Sequence, residues 1–185
     1  MTTPSDPAST GRLTLSRPVP DDIAALYAIC SDPRVWWHFP SLRHTAPEQT
    51  AVMVGLWQRG WDDLGLGVWT VRRRDDGRVI GYGGASDLGG VAWNLGYRIS
   101  ADEQGKGFAT ELARAGLAAA HEADPDKPVI AYLLAHNEPS ANVAKKIGLE
   151  LVDSGPDAGN PDRSAVRLVY ADRALTPAQL AAARR

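Results

Sequence analysis

The stretch Gln104-Gly105-Lys106-Gly107-Phe108-Ala109 constrains this chain most, because it opens directly onto a long alanine-rich run with helical periodicity. Two glycines let the backbone turn tightly where a Cβ would clash. The amides of a first helical turn have no partner inside the helix. With the macrodipole they form a socket for an anion, typically a phosphate. Lys106 adds a positive charge at the rim. The expectation is a phosphorylated cofactor seated at this junction.

The rest of the chain supplies a sheet to carry that helix. Arg12 to Ser16 alternates as a strand, and a helix runs from about Pro20 to Cys30, ended by Asp32-Pro33. Thr45-Ala46-Pro47-Glu48 reads as a capping box opening a second helix, whose Val52, Leu56 and Trp57 share a face. Strands at Leu66 to Arg73 and Val79 to Ser86 flank the hairpin signal Asp75-Asp76-Gly77. Gly89-Gly90 turns the chain into a strand from Val91 to Ile99. The third helix, about Gly107 to Glu122, carries Leu112, Gly116, Leu117 and Ala120 on one side. Val129 to Leu134 is a continuous apolar run, as expected of a buried strand.

A short helix from Asn137 to Ile147 stops at Gly148. Leu149 to Asp153 and Ser164 to Ala171 pair across a turn-rich loop, and Thr176-Pro177-Ala178-Gln179 caps a terminal helix. The order β-α-α-β-β-β-α-β-α-β-β predicts an α/β (α+β) fold with one mixed, mostly antiparallel twisted sheet and helices on both faces. Residues 1–10 read as a disordered tail, 11–172 as a single domain and 173–185 as a helical tail.

Composition removes several function classes. At 185 residues and 44% hydrophobic content the chain suits one domain with a full core. A net charge of -2 gives no basic field for nucleic acid. No apolar run approaches the roughly 18 residues of a membrane span, and the N-terminus lacks signal-peptide regions, so the default compartment is the cytoplasm. The lone Cys30 lies on the stripe Ile23, Leu26, Tyr27, Cys30, as a core thiol would. His38, His44, His121 and His136 are scattered without zinc spacing, so no metal site is expected.

Two familiar phosphate motifs fail on the residues. A P-loop needs Gly-x4-Gly-Lys-Ser/Thr, but Lys106 is followed by Gly107. A dinucleotide fingerprint needs Gly-x-Gly-x-x-Gly/Ala early in a βαβ unit, but Gly105 and Gly107 are followed by Thr110 after several hairpins. A plain glycine turn before an ordinary helix is the bland alternative.

A third reading has a second motif behind it. Gln104 to Ala109 resembles the Gln-x-x-Gly-x-Ala pyrophosphate loop of GNAT-superfamily N-acetyltransferases. Asn137-Glu138-Pro139-Ser140-Ala141-Asn142-Val143-Ala144-Lys145-Lys146-Ile147-Gly148-Leu149 is similar to that superfamily's second signature. Arg12-Leu13-Thr14-Leu15 and Asn94-Leu95-Gly96-Tyr97-Arg98-Ile99 resemble the branch that acetylates ribosomal-protein N-termini at alanine or serine. The resemblance spans about Arg12 to Ala171.

It implies an acetyl-coenzyme A-dependent N-acetyltransferase that works by direct attack of a primary amine within a ternary complex. The cofactor would be held by Gln104, Gly105, Lys106, Gly107, Phe108, Ala109 and Thr110 at the pyrophosphate. Tyr97, Arg98 and Ile99 would offer main-chain groups to the pantetheine, and Asn137 and Lys146 would touch the cofactor arm. A kink in the strand would free an amide near Leu95 or Gly96 as an oxyanion donor. Ser140 is the implied proton donor to the departing thiolate, and helix capping is its alternative role.

Two positions depart from the pattern. Ala144 stands where many members place a tyrosine acid, and Asn94 stands where the related branch often has a glutamate base. An amide cannot accept a proton at neutral pH, so Asn94 is expected to orient a water or the amine. A non-catalytic acyl-coenzyme A-binding module, and use of a longer donor such as succinyl-coenzyme A, therefore stay open. On the acceptor side, Trp36, Trp37 and His38 lie between the first two helices, where the superfamily builds pocket walls. Trp93, with Asp87, lies near the hairpin end. His38 is either a base or a polar contact, and the tryptophans either line the pocket or pack on the sheet. Surface tryptophans and an unpaired terminal strand leave a homodimer open. The amine is a protein N-terminus or a small molecule.

Overall fold

Eight strands form one sheet in the computed structural model, which describes residues 8–184. They are β1 (Ala8–Ser9), β2 (Leu13–Ser16), β3 (Val68–Arg73), β4 (Val79–Leu88), β5 (Ala92–Ile99), β6 (Val129–Leu134), β7 (Glu150–Pro156) and β8 (Val166–Ala171). The helices are α1 (Ile23–Cys30), α2 (Pro47–Leu64), α3 (Phe108–Ala123), α4 (Glu138–Lys146) and α5 (Pro177–Ala183). The strands lie in the order β1-β2-β3-β4-β5-β6-β8-β7, and only β5 and β6 run parallel. From Leu13 to Ala171 the expected element order holds. Ala8–Ser9 pairs with Leu15 and Thr14, so the end of the expected tail is a strand; residues 1–7 lie outside the described residues.

The core forms where α3 lies across the middle of the sheet. Leu112, Ala113 and Ala120 of α3 are buried against Leu13, Leu15, Val71, Ile80 and Leu95. Gly116 permits this approach, because a Cβ there would come within 2.6 Å of the Leu95 side chain. On the same face, Ala141 and Ala144 of α4 pack on Ala131, Leu133 and Tyr170. The opposite face is covered by Ile29 of α1 and by Val35 and Trp36 of the following loop, which pack against Val79 and Tyr82. Cys30 is buried in that layer, and burial pushes its thiol up, as befits a core residue.

Two expected details differ. The cap of α2 is shifted by one residue: Ala46 is the N-cap, and the Gln49 carboxamide, not Glu48, accepts from the amides of Thr45 and Ala46 at 2.7 and 3.1 Å. The α2 face marked by Val52 and Leu56 is exposed, because Thr50 and Val54 are the side chains turned inward. The terminal helix begins as expected, with Gln179 accepting from the Thr176 amide at 2.8 Å, and its Ala183 is buried against Ala92 and Val169.

Candidate active site

The sheet opens at its parallel seam. β5 pairs with β4 continuously from Gly81↔Ile99 to Leu88↔Ala92, whereas its pairing with β6 consists of Trp93↔Val129 and Asn94↔Ile130 alone. Past Asn94 the two strands diverge. Amides alternate across the edges of a strand, and the Trp93 amide donates toward β6, to the Pro128 carbonyl at 2.8 Å. The amides of Tyr97 and Ile99, in step with Trp93, therefore face the gap, whereas Arg98, one residue out of step, turns its main chain to β4 and not, as expected, to the gap. The gap widens into a cavity of about 820 Å³. No β-bulge accompanies the divergence, since the β4–β5 register never shifts. Of Leu95 and Gly96, only Leu95 is in step with the gap, and it sits at the vertex.

The same cavity reaches the start of α3. Gly107 is its N-cap at φ 83°, a left-handed conformation that costs any other L-residue roughly 1–2 kcal/mol, and no side chain caps the helix. The first intrahelical bond runs from the Glu111 amide to the Gly107 carbonyl, leaving the amides of Phe108, Ala109 and Thr110 without helical partners. Gln104 ties the loop to β5 by donating to the Ile99 carbonyl at 3.0 Å. Arg12 clamps it from the other side: it donates to the Lys106 carbonyl at 2.9 Å, pairs with Glu111 at 2.7 Å and covers the Phe108 ring at 4.5 Å. Burial opposes ionisation of Glu111, but bonds from Thr10 and Arg12 outweigh it and hold the carboxyl below its ordinary value. Lys106 departs from the expected role as a rim charge. Its Nζ pairs with Glu103 at 2.9 Å, and its side chain does not line the cavity.

At the start of α4, Asn137 accepts from the Ser140 amide at 3.3 Å and so provides the cap, which leaves the Ser140 hydroxyl for other work. Ser140 Oγ donates to Tyr97 Oη at 3.3 Å, and Tyr97 Oη donates to the Ser140 carbonyl at 3.0 Å. Burial pushes the Tyr97 phenol up to about 12, so it stays protonated. Ser140, Asn137 and Lys146 all line the cavity. Ala144 is buried under α4, so no tyrosine could act from there without repacking.

The opposite wall comes from the loop between α1 and α2. Trp36 is buried and Trp37 half-exposed, so the two alternatives are divided between them: Trp36 packs on the sheet, Trp37 faces outward, and both border the cavity. His38 stacks on Trp36 at 6.2 Å, and its Nε2 lies 3.3 Å from Arg98 Nη1. Burial first, then Arg98 and His136, push the His38 imidazole down to about 4, so it is neutral at pH 7 and a weak base. Asn94 lines the cavity, and its carbonyl accepts from the Ser86 hydroxyl at 3.3 Å. Trp93 does not reach the acceptor wall. It is buried in the α3-side core with Lys127 above its ring at 4.3 Å, and Asp87 pairs with that lysine.

Sequence reasoning missed Tyr132 and Arg167, which also line the cavity. A run as apolar as Val129 to Leu134 predicts burial throughout, yet Tyr132 is exposed, bordering the cavity with the Arg167 guanidinium over its ring at 4.6 Å. The donor set fits a long ligand with a diphosphate at one end: unpartnered amides at a helix start, then strand-edge amides along a gap. No helix among the described residues is long and apolar enough to cross a membrane.

Comparison with known proteins agrees with this geometry. The sequence model of the family described as "Acetyltransferase (GNAT) domain" matches residues 12–150. A GNAT-family acetyltransferase from Bacillus anthracis superposes with TM-score 0.75 at 21% identity, covering 88% of this chain and 95% of that one. An acetyltransferase from Agrobacterium tumefaciens gives 0.73 at 26%, covering 92% and 96%. RimL, a ribosomal L7/L12 α-N-protein acetyltransferase solved with coenzyme A, gives 0.75 at 16%, covering 91% and 97%. No curated protein matches the sequence.

Proposed function

The chain belongs to the GNAT acetyltransferase family, and from that premise we propose that it transfers an acetyl group to a primary amine by direct attack in a ternary complex. The observation that carries the reading is the continuity of one cavity from the β5–β6 gap to the uncapped start of α3. GNAT acetyltransferases use acetyl-coenzyme A. That donor supplies an activated thioester, whose carbonyl carbon the amine attacks as the carbon–sulfur bond breaks.

The residues divide the work. Gly105 to Thr110 hold the diphosphate with main-chain amides, and Gln104 and Arg12 fix that loop in place. Tyr97 and Ile99 offer edge amides to the pantetheine arm, beside Asn137 and Lys146. Ser140 gives a proton to the departing sulfur and regains one from solvent water, while the Tyr97 hydroxyl, which accepts the serine's hydrogen bond, holds that side chain in place. Asn94 orients the incoming amine or a water. The carboxylates lining the cavity, Glu103 and Asp157, are each engaged by their own cations, so the amine arrives neutral or loses its proton to water. A cytoplasmic location and a homodimer belong to the same proposal, as does the choice of acceptor between a protein N-terminus, which RimL acetylates on ribosomal L7/L12, and a small amine.

The test is thiol release from acetyl-coenzyme A over a panel of peptides and small amines, alongside binding of the donor by calorimetry. Turnover with at least one amine is expected. Tight donor binding with silence across the panel would instead favour a non-catalytic acyl-coenzyme A-binding module, a reading to which Asn94 lends weight. A higher rate with succinyl-coenzyme A than with acetyl-coenzyme A would reassign the acyl group.

A further inference from the structure

Arg98 occupies an unusual electrostatic position on the acceptor wall. Its neighbours in β5, Tyr97 and Ile99, turn toward α3 and α4, while the Arg98 side chain turns the other way, into the loop that covers α1. There its guanidinium lies over the Trp36 ring at 3.9 Å and beside His38 Nε2 at 3.3 Å. The Tyr82 phenol, opposite it in register, also feels its charge. All three partners are uncharged at neutral pH. Arg98 forms no ion pair with any described residue, although it is partly buried and borders the cavity.

That arrangement has a cost. A guanidinium withdrawn from water without a counter-charge loses solvation that cation–π contact offsets only in part. The two carboxylates that line the cavity do not relieve it: Glu103 is held by Lys106, Arg73 and Arg78, and Asp157 by Arg167. The guanidinium is held against Trp36, and its N–H donors suit a planar or tetrahedral anion. His38, kept neutral by burial and by Arg98 itself, adds no competing charge at neutral pH.

We propose that Arg98 receives an anionic group, a carboxylate or a phosphate, carried by the amine acceptor, so that this enzyme selects amines bearing a negative charge. The inference deepens the acetyl-transfer reading and rests on it only in taking the acceptor to be an amine.

Three matched pairs test it and separate the sources of charge: a free amino acid against its carboxamide, a peptide beginning with Asp against one beginning with Asn, and phosphoethanolamine against ethanolamine. Binding is read from tryptophan emission without acyl donor, since Trp36 stacks on the guanidinium, and turnover from thiol release. In at least one pair the anionic member should bind tenfold or more tightly, with the difference shrinking as salt is raised. Arg98→Gln should bring the ratio close to one, and Arg98→Lys should keep part of it; melting temperatures check that both variants fold. Equal binding within every pair overturns the inference, as does a preference that survives Arg98→Gln in a folded protein. Anion-selective binding without acetyl transfer supports Arg98 and counts against the transferase reading. Transfer to both members of every pair at equal rates does the reverse.

Discussion

The two walls of the cavity are made of different material. The wall toward α3 is backbone: strand-edge amides of β5, a glycine turn and an uncapped helix start, with side chains such as Gln104 and Arg12 only holding the loop in place. The wall toward α1 is side chains: Trp36, Trp37, His38 and Arg98, gathered from a loop and a strand far apart in sequence. A wall of main chain recognises what its ligands share. A wall of side chains recognises what differs between them, and a few substitutions can change its specificity.

The strongest way to break that contrast is to place a side chain in the backbone wall. Gly107→Glu is expected to weaken acetyl-coenzyme A binding about a hundredfold, about 2.7 kcal/mol by calorimetry, because a left-handed position gains a Cβ and the anion site gains a carboxylate. Unchanged affinity would refute the loop assignment. Ser140→Ala comes next: kcat is expected to fall roughly thirtyfold, somewhat below the usual span of proton-transfer catalysis because water can replace the hydroxyl, with donor affinity retained. If affinity falls and kcat holds, Ser140 is a binding contact only. Tyr97→Phe should reproduce a part of that loss if the phenol holds the serine hydroxyl in place.

Arg12→Ala sharpens the contrast from behind the loop. Losing the clamp on the Lys106 carbonyl and the Glu111 pair should raise the donor Kd about fivefold, roughly 1 kcal/mol, without changing the ranking of acceptors. The smallest effect belongs to His38. Its folded value of about 4 lies below the ordinary 6.5, so the unfolded chain binds the proton more readily. The stability it contributes is complete above pH 6.5 and drains away as the pH falls toward 4. For a group partly open to solvent this is on the order of 1 kcal/mol. His38→Gln should flatten the melting temperature across that window; an unchanged slope would mean the imidazole is not held neutral.

Legibility followed the same division. Gln104 to Ala109 and the end of Asn137 to Leu149 were readable because turns and helix stops with positive φ demand glycine at fixed spacing, whatever surrounds them, whereas the cap of α4 fell to Asn137 and not to Ser140. Lys106 and Trp93 were misplaced for the opposite reason. Whether a lysine pairs with Glu103 or reaches a ligand, and whether a tryptophan faces the core or the cavity, depends on neighbours brought from elsewhere in the chain. The exposed stripe Val52 and Leu56 on α2 failed likewise, since helical period marks a face but not the side on which the sheet lies.

Sequence alone settled the order of the elements from Leu13 to Ala171, the glycine turn before α3, the stop of α4 at Gly148 and the family these motifs resemble. All of these are local: they follow from backbone sterics and from hydrogen bonds within a few residues. Tertiary structure decided where β5 and β6 part, that Ser140 meets Tyr97 and that Arg98 lies against Trp36 and His38 without a carboxylate. Those are pairings across 43 and 60 positions of chain, fixed by packing, which no local pattern encodes.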